Sequence, residues 1–414
     1  MKVVGIVAEY NPFHNGHKYQ IEQLRKRTGA DYVIIAMSGN FLQRGVPAVC
    51  NKYSRARMAL SCGADLVLEL PTVWATASAE YFAEGAVNLL KNTGVVTHLG
   101  FGAETDKLDA LSLFASIIKN EPPLYQKALA SALKEGYTFP IARKRALIAQ
   151  TTFMNCAYSA DVLDEIMDAP NNILAMEYLK ALPNHITPIL IKREGAGYHS
   201  TDIKEKNPSA TAIRSALQTA NTISHLKESM PTEAYAIMHK CVEQNAILES
   251  NHLSSALGCR LLSLQKEGYT DFADCNEDLS NRIYNQLNNF VSYESFCQEL
   301  KTKDVTYTRI SRVLLHILLN IKEKDYAEGK ELKHAPYLRV LGFRKDSSAL
   351  LSEIKKEANV PLITKVADAA SILSPKAYKM FEQDIFASSI YNQVMTVQKH
   401  QPPANDYTSQ IVIL

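Results

Sequence analysis

Two histidines, His14 and His17, bracket Asn15-Gly16 directly after a short apolar run, VVGIVA at Val3–Ala8. The full stretch Val7–Gln20 reads V-A-E-Y-N-P-F-H-N-G-H-K-Y-Q. Pro12 stiffens the loop, and a helical pattern follows. Backbone N–H groups at a helix start attract anions. Gly16 lets a nucleotide approach the main chain closely. The two imidazoles can donate hydrogen bonds to oxygens on which charge builds during displacement at phosphorus. A lone histidine here is a surface or capping residue. Strand, N-P-F, H-x-G-H and helix start in succession point to phosphate chemistry.

Such a loop needs a sheet behind it. Tyr32–Met37, Leu66–Leu70, Val95–Phe101 and Ile186–Ile191 are further apolar runs. Helical patterns over His17–Arg27, Tyr53–Cys62 and Ser78–Leu90 separate the first of them. This alternation predicts βαβ units and a parallel, Rossmann-like α/β sheet. Ligands of such sheets bind beyond the carboxyl ends of the strands. The exits Glu9–Gly16, Ser38–Gly45, Pro71–Trp74 and Gly102–Glu104 are therefore the places for chemistry. Residues 105–182 read as a helical insertion. Beyond about 225 strand signals fade, and a boundary is placed near 222–232. The expected division is 1–225, a nucleotide-binding catalytic domain, and 226–414, a mainly helical domain.

The H-x-G-H loop resembles that of the nucleotidyltransferase superfamily related to class I aminoacyl-tRNA synthetases. That superfamily's second signature, similar to I-S-S-T-x-I-R, is matched by Ser209-Ala210-Thr211-Ala212-Ile213-Arg214. Ser209 is suited to cap a helix facing the β- and γ-phosphates, and Arg214 to neutralise leaving pyrophosphate. Ala210 replaces the second serine, so one hydroxyl contact is missing.

Further segments narrow the resemblance: S-G-N-F-L-Q-R-G at 38–45, R-A-R-M-A-L at 55–60, G-F-G-A-E at 100–104, P-N-N-I-L at 170–174 and K-R-E-G-A-G-Y-H at 192–199. Together they resemble the bacterial tRNA(Met) cytidine acetate ligase family, with the specific motifs confined to residues 1–215. The resemblance implies a two-step reaction. Acetate attacks the α-phosphate of ATP, giving acetyl-adenylate and pyrophosphate. The N4 amine of the wobble cytidine of elongator tRNA(Met) then takes the acetyl group. His14 and His17 would be catalytic. The implied ATP contacts are Val7, Ala8, Glu9, Tyr10, Asn11, Pro12, Phe13, His14, Asn15, Gly16, His17, Lys18, Tyr19 and Gln20. Gly102, Asn171, Asn172, Arg193, Ser209, Thr211 and Arg214 complete that set. Gly102 also stands on its own reading, as a glycine at a strand exit where a side chain would block a purine or ribose. Mg²⁺ is expected with ATP, whose phosphates need a countercharge, although no carboxylate cage is visible. For acetate, Arg44, Lys52 and Arg55 are candidates by position alone.

The chain of 414 residues carries 45 Lys and Arg against 43 Asp and Glu, so any RNA partner needs a local basic patch. Residues 301–345 hold eleven Lys and Arg against five Asp and Glu. There Arg309, Arg312 and His316 share one helix face, and Tyr307, Tyr337 and Arg339 add stacking groups. These are the candidate tRNA contacts. Lys322, Lys324, Lys330 and Lys333 come next.

Seven cysteines, odd in number and without C-x-x-C spacing, fit reduced thiols and no zinc site. The N-terminal apolar run is too short for a signal peptide, and no stretch approaches the ~18 apolar residues of a membrane span. A cytoplasmic enzyme is expected. Three alternatives remain open: a small-molecule adenylyltransferase of the pantetheine-phosphate or nicotinate-mononucleotide type, an acetate ligase acting on a protein's prosthetic thiol, and a non-catalytic RNA-binding protein.

Overall fold

The computed structural model describes residues 1–155, 158, 160–193, 210–219 and 223–414. Five strands, β1 (Val3–Ala8), β2 (Tyr32–Ser38), β3 (Leu66–Leu70), β4 (His98–Ala103) and β5 (Thr187–Lys192), pair in parallel in the order β3-β2-β1-β4-β5. Their apolar runs are buried because helices cover both faces of the sheet. The strand order reverses between β1 and β4. Their carboxyl ends therefore diverge into a crevice, the place where α/β sheets bind ligands.

Helix α1 (Asn15–Thr28) follows β1, α2 (Lys52–Ser61) follows β2, and α3 (Ala79–Asn92) follows β3. A Cβ on Gly100 of β4 would collide with Leu24 of α1, so this glycine lets the helix pack closely on the sheet. The expected insertion is helical: Leu108–Asn120, Pro123–Lys134, Phe139–Phe153, Ala160–Met167 and α4 (Pro170–Ala181) precede β5. Helix α5 (Ala210–Thr219) carries the second signature. Ser209 and residues 194–199 lie outside the described residues.

The expected boundary near 222–232 does not divide the sheet. After α6 (Tyr307–Leu319) the chain returns to it with β6 (Leu338–Phe343), antiparallel to β3. The outer edge of β6 is covered at one end by β7 (Leu362–Ile363) and at the other by β8 (Val412–Ile413). Between them runs the long helix α7 (Pro375–Lys399). The C-terminal part is thus mostly helical, but it closes an edge that β3 would otherwise expose. The six described cysteines are free, and no described helix is long and apolar enough to cross a membrane.

Candidate nucleotide-binding active site

His14 is the N-cap of α1, with extended backbone at φ −138° and ψ 175°. The Gly16 N–H donates to His14 Nδ1 (3.1 Å), and the His14 N–H donates to His17 Nδ1 (3.2 Å). This is a capping box built from two imidazoles. The rings stack, with centroids 3.7 Å apart at 29°. Burial, then the charges of Arg193 and Arg214, push the His14 pKa down to about 3. Burial, then His14 and Arg193, hold His17 well below the usual range. Both rings are neutral at pH 7. Since each Nδ1 accepts a backbone proton, each ring carries its own proton on Nε2. The pair offers two Nε2–H donors.

The backbone amides are a different matter. Asn15 N–H donates to Ser229 O (3.1 Å), Gly16 N–H to His14 Nδ1, and His17 N–H to His14 O (2.9 Å). The expectation that helix-start amides receive the phosphates is corrected, because they are engaged in the cap.

A cleft of about 220 Å³ opens at the β1/β4 crevice. Of the expected ATP contacts, Val7, Ala8, Glu9, Tyr10, Asn11, His14, His17 and Gln20 line it from the first segment. Gly102, Asn171, Arg193, Thr211 and Arg214 line it from elsewhere. Arg214 donates to Asn11 O (2.7 Å) and Thr211 Oγ1 (3.1 Å), which ties α5 to the loop after β1. The Arg193 backbone N–H donates to Ala103 O (2.9 Å), bringing β5's exit beside Gly102. A Cβ on Gly102 would meet only Arg193 and Ile191 O at 3.4 Å or more. Packing within the chain therefore does not demand glycine there, whereas a ligand against β4 would.

Several expected contacts sit away from the cleft. Pro12 and Phe13 are buried beneath it, Phe13 packing 4.7 Å from Tyr10 and 5.4 Å from His17. Asn15 turns to Glu228 O (2.7 Å), and Gly16, Lys18 and Tyr19 do not line it. Asn172 is fully buried. Its Oδ1 accepts from the N–H groups of Glu104 (2.9 Å) and Thr105 (3.1 Å), while Glu104 accepts from the Asn172 N–H and the Asn171 side chain. Asn172 locks α4 to the exit of β4; only Asn171 faces the site.

Sequence reasoning missed the apolar wall: Leu42, Val46, Phe82, Phe101, Leu174 and Tyr178. Leu174 and Tyr178 stand four apart on α4, a spacing that marks a helix face but not what it meets. Leu42, Gln43, Arg44 and Val46 belong to a hairpin, Phe41–Leu42 against Val46–Pro47. Its tip, Gly45 (φ 77°), packs on the α6 backbone with no room for a Cβ. The Gly45 carbonyl accepts from Tyr293 Oη (2.7 Å) and Ser311 Oγ (2.9 Å). The C-terminal region therefore positions part of the site.

Two acetate candidates are corrected. Lys52 is 1% exposed, and its Nζ donates to Glu69, Ser388 and Asp406 within 3.0 Å. Arg55 is buried, donating to the carbonyls of Glu9, Ser38, Gly39 and Cys50 and so holding the exits of β1 and β2 together. Arg44 alone of the three lines the cleft.

The expected RNA face is also corrected. Tyr337 and Arg339 begin β6 inside the core. Tyr337 Oη donates to Asp384 (2.7 Å), and Arg339 faces Glu69 and Asp406 at 3.1 Å, off its hydrogen-bonding directions. His316 is fully buried. Arg312 pairs with Asp274 (3.2 Å), and Arg309 donates to the Asp274 carbonyl (3.2 Å). Lys324, Lys330 and Lys333 are exposed. Among the described residues no cluster of three or more His, Cys, Asp or Glu is arranged to hold a metal, and Glu9 is the one carboxylate lining the cleft.

A 3-2-1-4-5 parallel sheet with imidazole donors and two arginines at its switch point defines a nucleotide-binding transferase. The chain belongs to the HIGH Nucleotidyl Transferase family, whose sequence model matches residues 1–406. The resemblance read from the motifs therefore holds. The tRNA(Met) cytidine acetate ligase of Acetivibrio thermocellus is 36% identical over 422 residues, covering 100% of both chains. That of Halothermothrix orenii is 38% identical, covering 95% of this chain and 94% of its own. The crystal structure of Thermotoga maritima TmcAL bound with alpha-thio ATP superposes with TM-score 0.92 at 31% identity, covering all of both chains.

Proposed function

We propose that this protein joins acetate to ATP, forming acetyl-adenylate and pyrophosphate, and passes the acetyl group to N4 of the wobble cytidine of elongator tRNA(Met). The observation that carries the first step is the pair of Nε2–H imidazoles with Arg193 and Arg214 in one cleft. Fixed donors and cations at that point stabilise charge developing on the α-phosphate and the leaving pyrophosphate. A histidine already fixed by the helix cap needs no reorganisation as the reaction proceeds. Mg²⁺ accompanies ATP as countercharge, held mainly by the phosphates, since Glu9 is the only carboxylate among the described cleft residues.

The second step draws on the relatives' shared name and on the aromatic wall of Phe82, Phe101 and Tyr178, which suits an extruded base. RNA-backbone contacts are assigned to residues 226–414, at exposed Lys324, Lys330 and Lys333 with the edge of Arg309. Such an enzyme works where tRNA is, in the cytosol. The test of the first step is acetate-dependent exchange of labelled pyrophosphate into ATP. Exchange that needs acetate supports the reading. Exchange that instead needs a phosphorylated small molecule makes the protein an ordinary adenylyltransferase.

A further inference from the structure

The transfer step leaves a proton to be placed. When N4 of cytidine attacks the acetyl carbon, the N–C bond forms and the bond from that carbon to the adenylate oxygen breaks. AMP leaves with the electron pair, and the nitrogen must lose a proton. The cleft is rich in donors: Arg44, Arg193, Arg214 and both histidines, whose Nδ1 atoms are occupied by the helix cap. Neutral imidazoles protonated on Nε2 have no lone pair to spare there. Glu9 stands apart as the one carboxylate among the described lining residues. Its Oε1 accepts from the Gln43 N–H (2.8 Å) at the hairpin, and its Oε2 has no hydrogen-bond partner among the described residues. It sits directly after β1, at the start of the loop that leads to His14. A carboxylate in a site for a polyanion costs binding energy unless it meets a proton donor.

We propose, on the reading of the function given above, that Glu9 Oε2 accepts a hydrogen bond from the cytidine N4 amine and takes its proton as the acetyl group transfers. Carboxylates read cytosine by its N4 hydrogens in other settings, and the same contact here joins recognition to chemistry. Oε1 is kept in place by Gln43, which leaves Oε2 to face the base.

The test compares wild type and Glu9→Gln as full chains. The amide keeps an oxygen for the Gln43 N–H but cannot take a proton. Two rates are measured: acetate-dependent pyrophosphate exchange, and single-turnover transfer of labelled acetyl from preformed acetyl-adenylate to tRNA. General-base catalysis contributes roughly 10²–10⁴-fold. Transfer is expected to fall at least about 100-fold further than exchange. Equal loss in both rates would assign Glu9 to ATP, and equal retention would leave it a support for the hairpin; either result overturns the proposal. ATP affinity of the variant checks that it is folded. A wild type without acetate-dependent exchange defeats the functional reading itself, an outcome distinct from these.

Discussion

His14 and His17 lie face to face, 3.7 Å between ring centroids, and each uses its Nδ1 to close the first turn of the same helix. On the proposed function, capping and catalysis fall to different nitrogens of the same rings. The cap fixes the tautomer and orientation and leaves each Nε2–H outside the cap. Replacing either histidine by alanine should lower acetate-dependent pyrophosphate exchange by about 10²–10³. It should also remove one cap contact, costing about 1 kcal/mol. Exchange rates and thermal midpoints measured together check this. A variant that loses stability but keeps exchange would make that histidine purely structural.

The same geometry sets a pH dependence. Both folded-state pKa values lie below the unfolded value of ~6.5, so the unfolded chain binds protons that the folded one refuses. Their contribution to stability is full above about pH 6.5 and is lost as pH falls below it, for His14 through about 3. In the ligand-free protein neither ring should titrate between pH 5.5 and 8. Histidine NMR titration, assigned with the alanine variants, reads this directly. A midpoint near 6.5 for either ring would contradict the neutral pair.

Truncation after residue 225 should not give a stable nucleotide-binding domain. It removes β6, which pairs Leu66–Glu69 of β3 with Arg339–Phe343. It also uncovers Trp74, now fully buried and stacked 5.7 Å from Tyr326. The fragment is expected to aggregate or to unfold without cooperativity in denaturant. A soluble fragment that binds ATP with wild-type affinity would support the two-domain division.

Arg339 and the exposed lysines should separate cleanly. Arg339→Leu breaks a buried network with Lys52, Glu69 and Asp406, and loss of one partner costs about 3–5 kcal/mol. Lys324, Lys330 and Lys333 changed together to Glu should leave the unfolding midpoint nearly unmoved and weaken tRNA binding. The salt slope of binding should become shallower by roughly 0.7–0.9 for each phosphate the variant no longer neutralises. An unchanged affinity and slope would place the RNA elsewhere.

The five parallel strands and the helices after the first three were legible because apolar runs alternate with amphipathic stretches at βαβ spacing. The loop was legible because H-x-G-H follows a strand. The rest depended on long-range contacts that local pattern does not record. Leu338–Phe343 carries Arg339, which reads as a surface charge until Glu69 and Asp406, far apart along the chain, meet it in the core. Arg309 and Arg312 share a helix face, as the spacing said, but Asp274 occupies it. Lys52 and Arg55 looked like anion receptors by position, and burial turned them inward to structural partners. The aromatic wall came from α3, β4 and α4, three segments whose meeting only the fold reveals.

The most direct test of the proposed reaction supplies the protein with ATP, labelled acetate and elongator tRNA(Met), then digests the RNA to nucleosides. Label is expected in N4-acetylcytidine from the wobble position, dependent on ATP and accompanied by one AMP and one pyrophosphate per acetyl group. Acetyl-adenylate made without label entering that cytidine, or label carried to a protein thiol in its place, would contradict it.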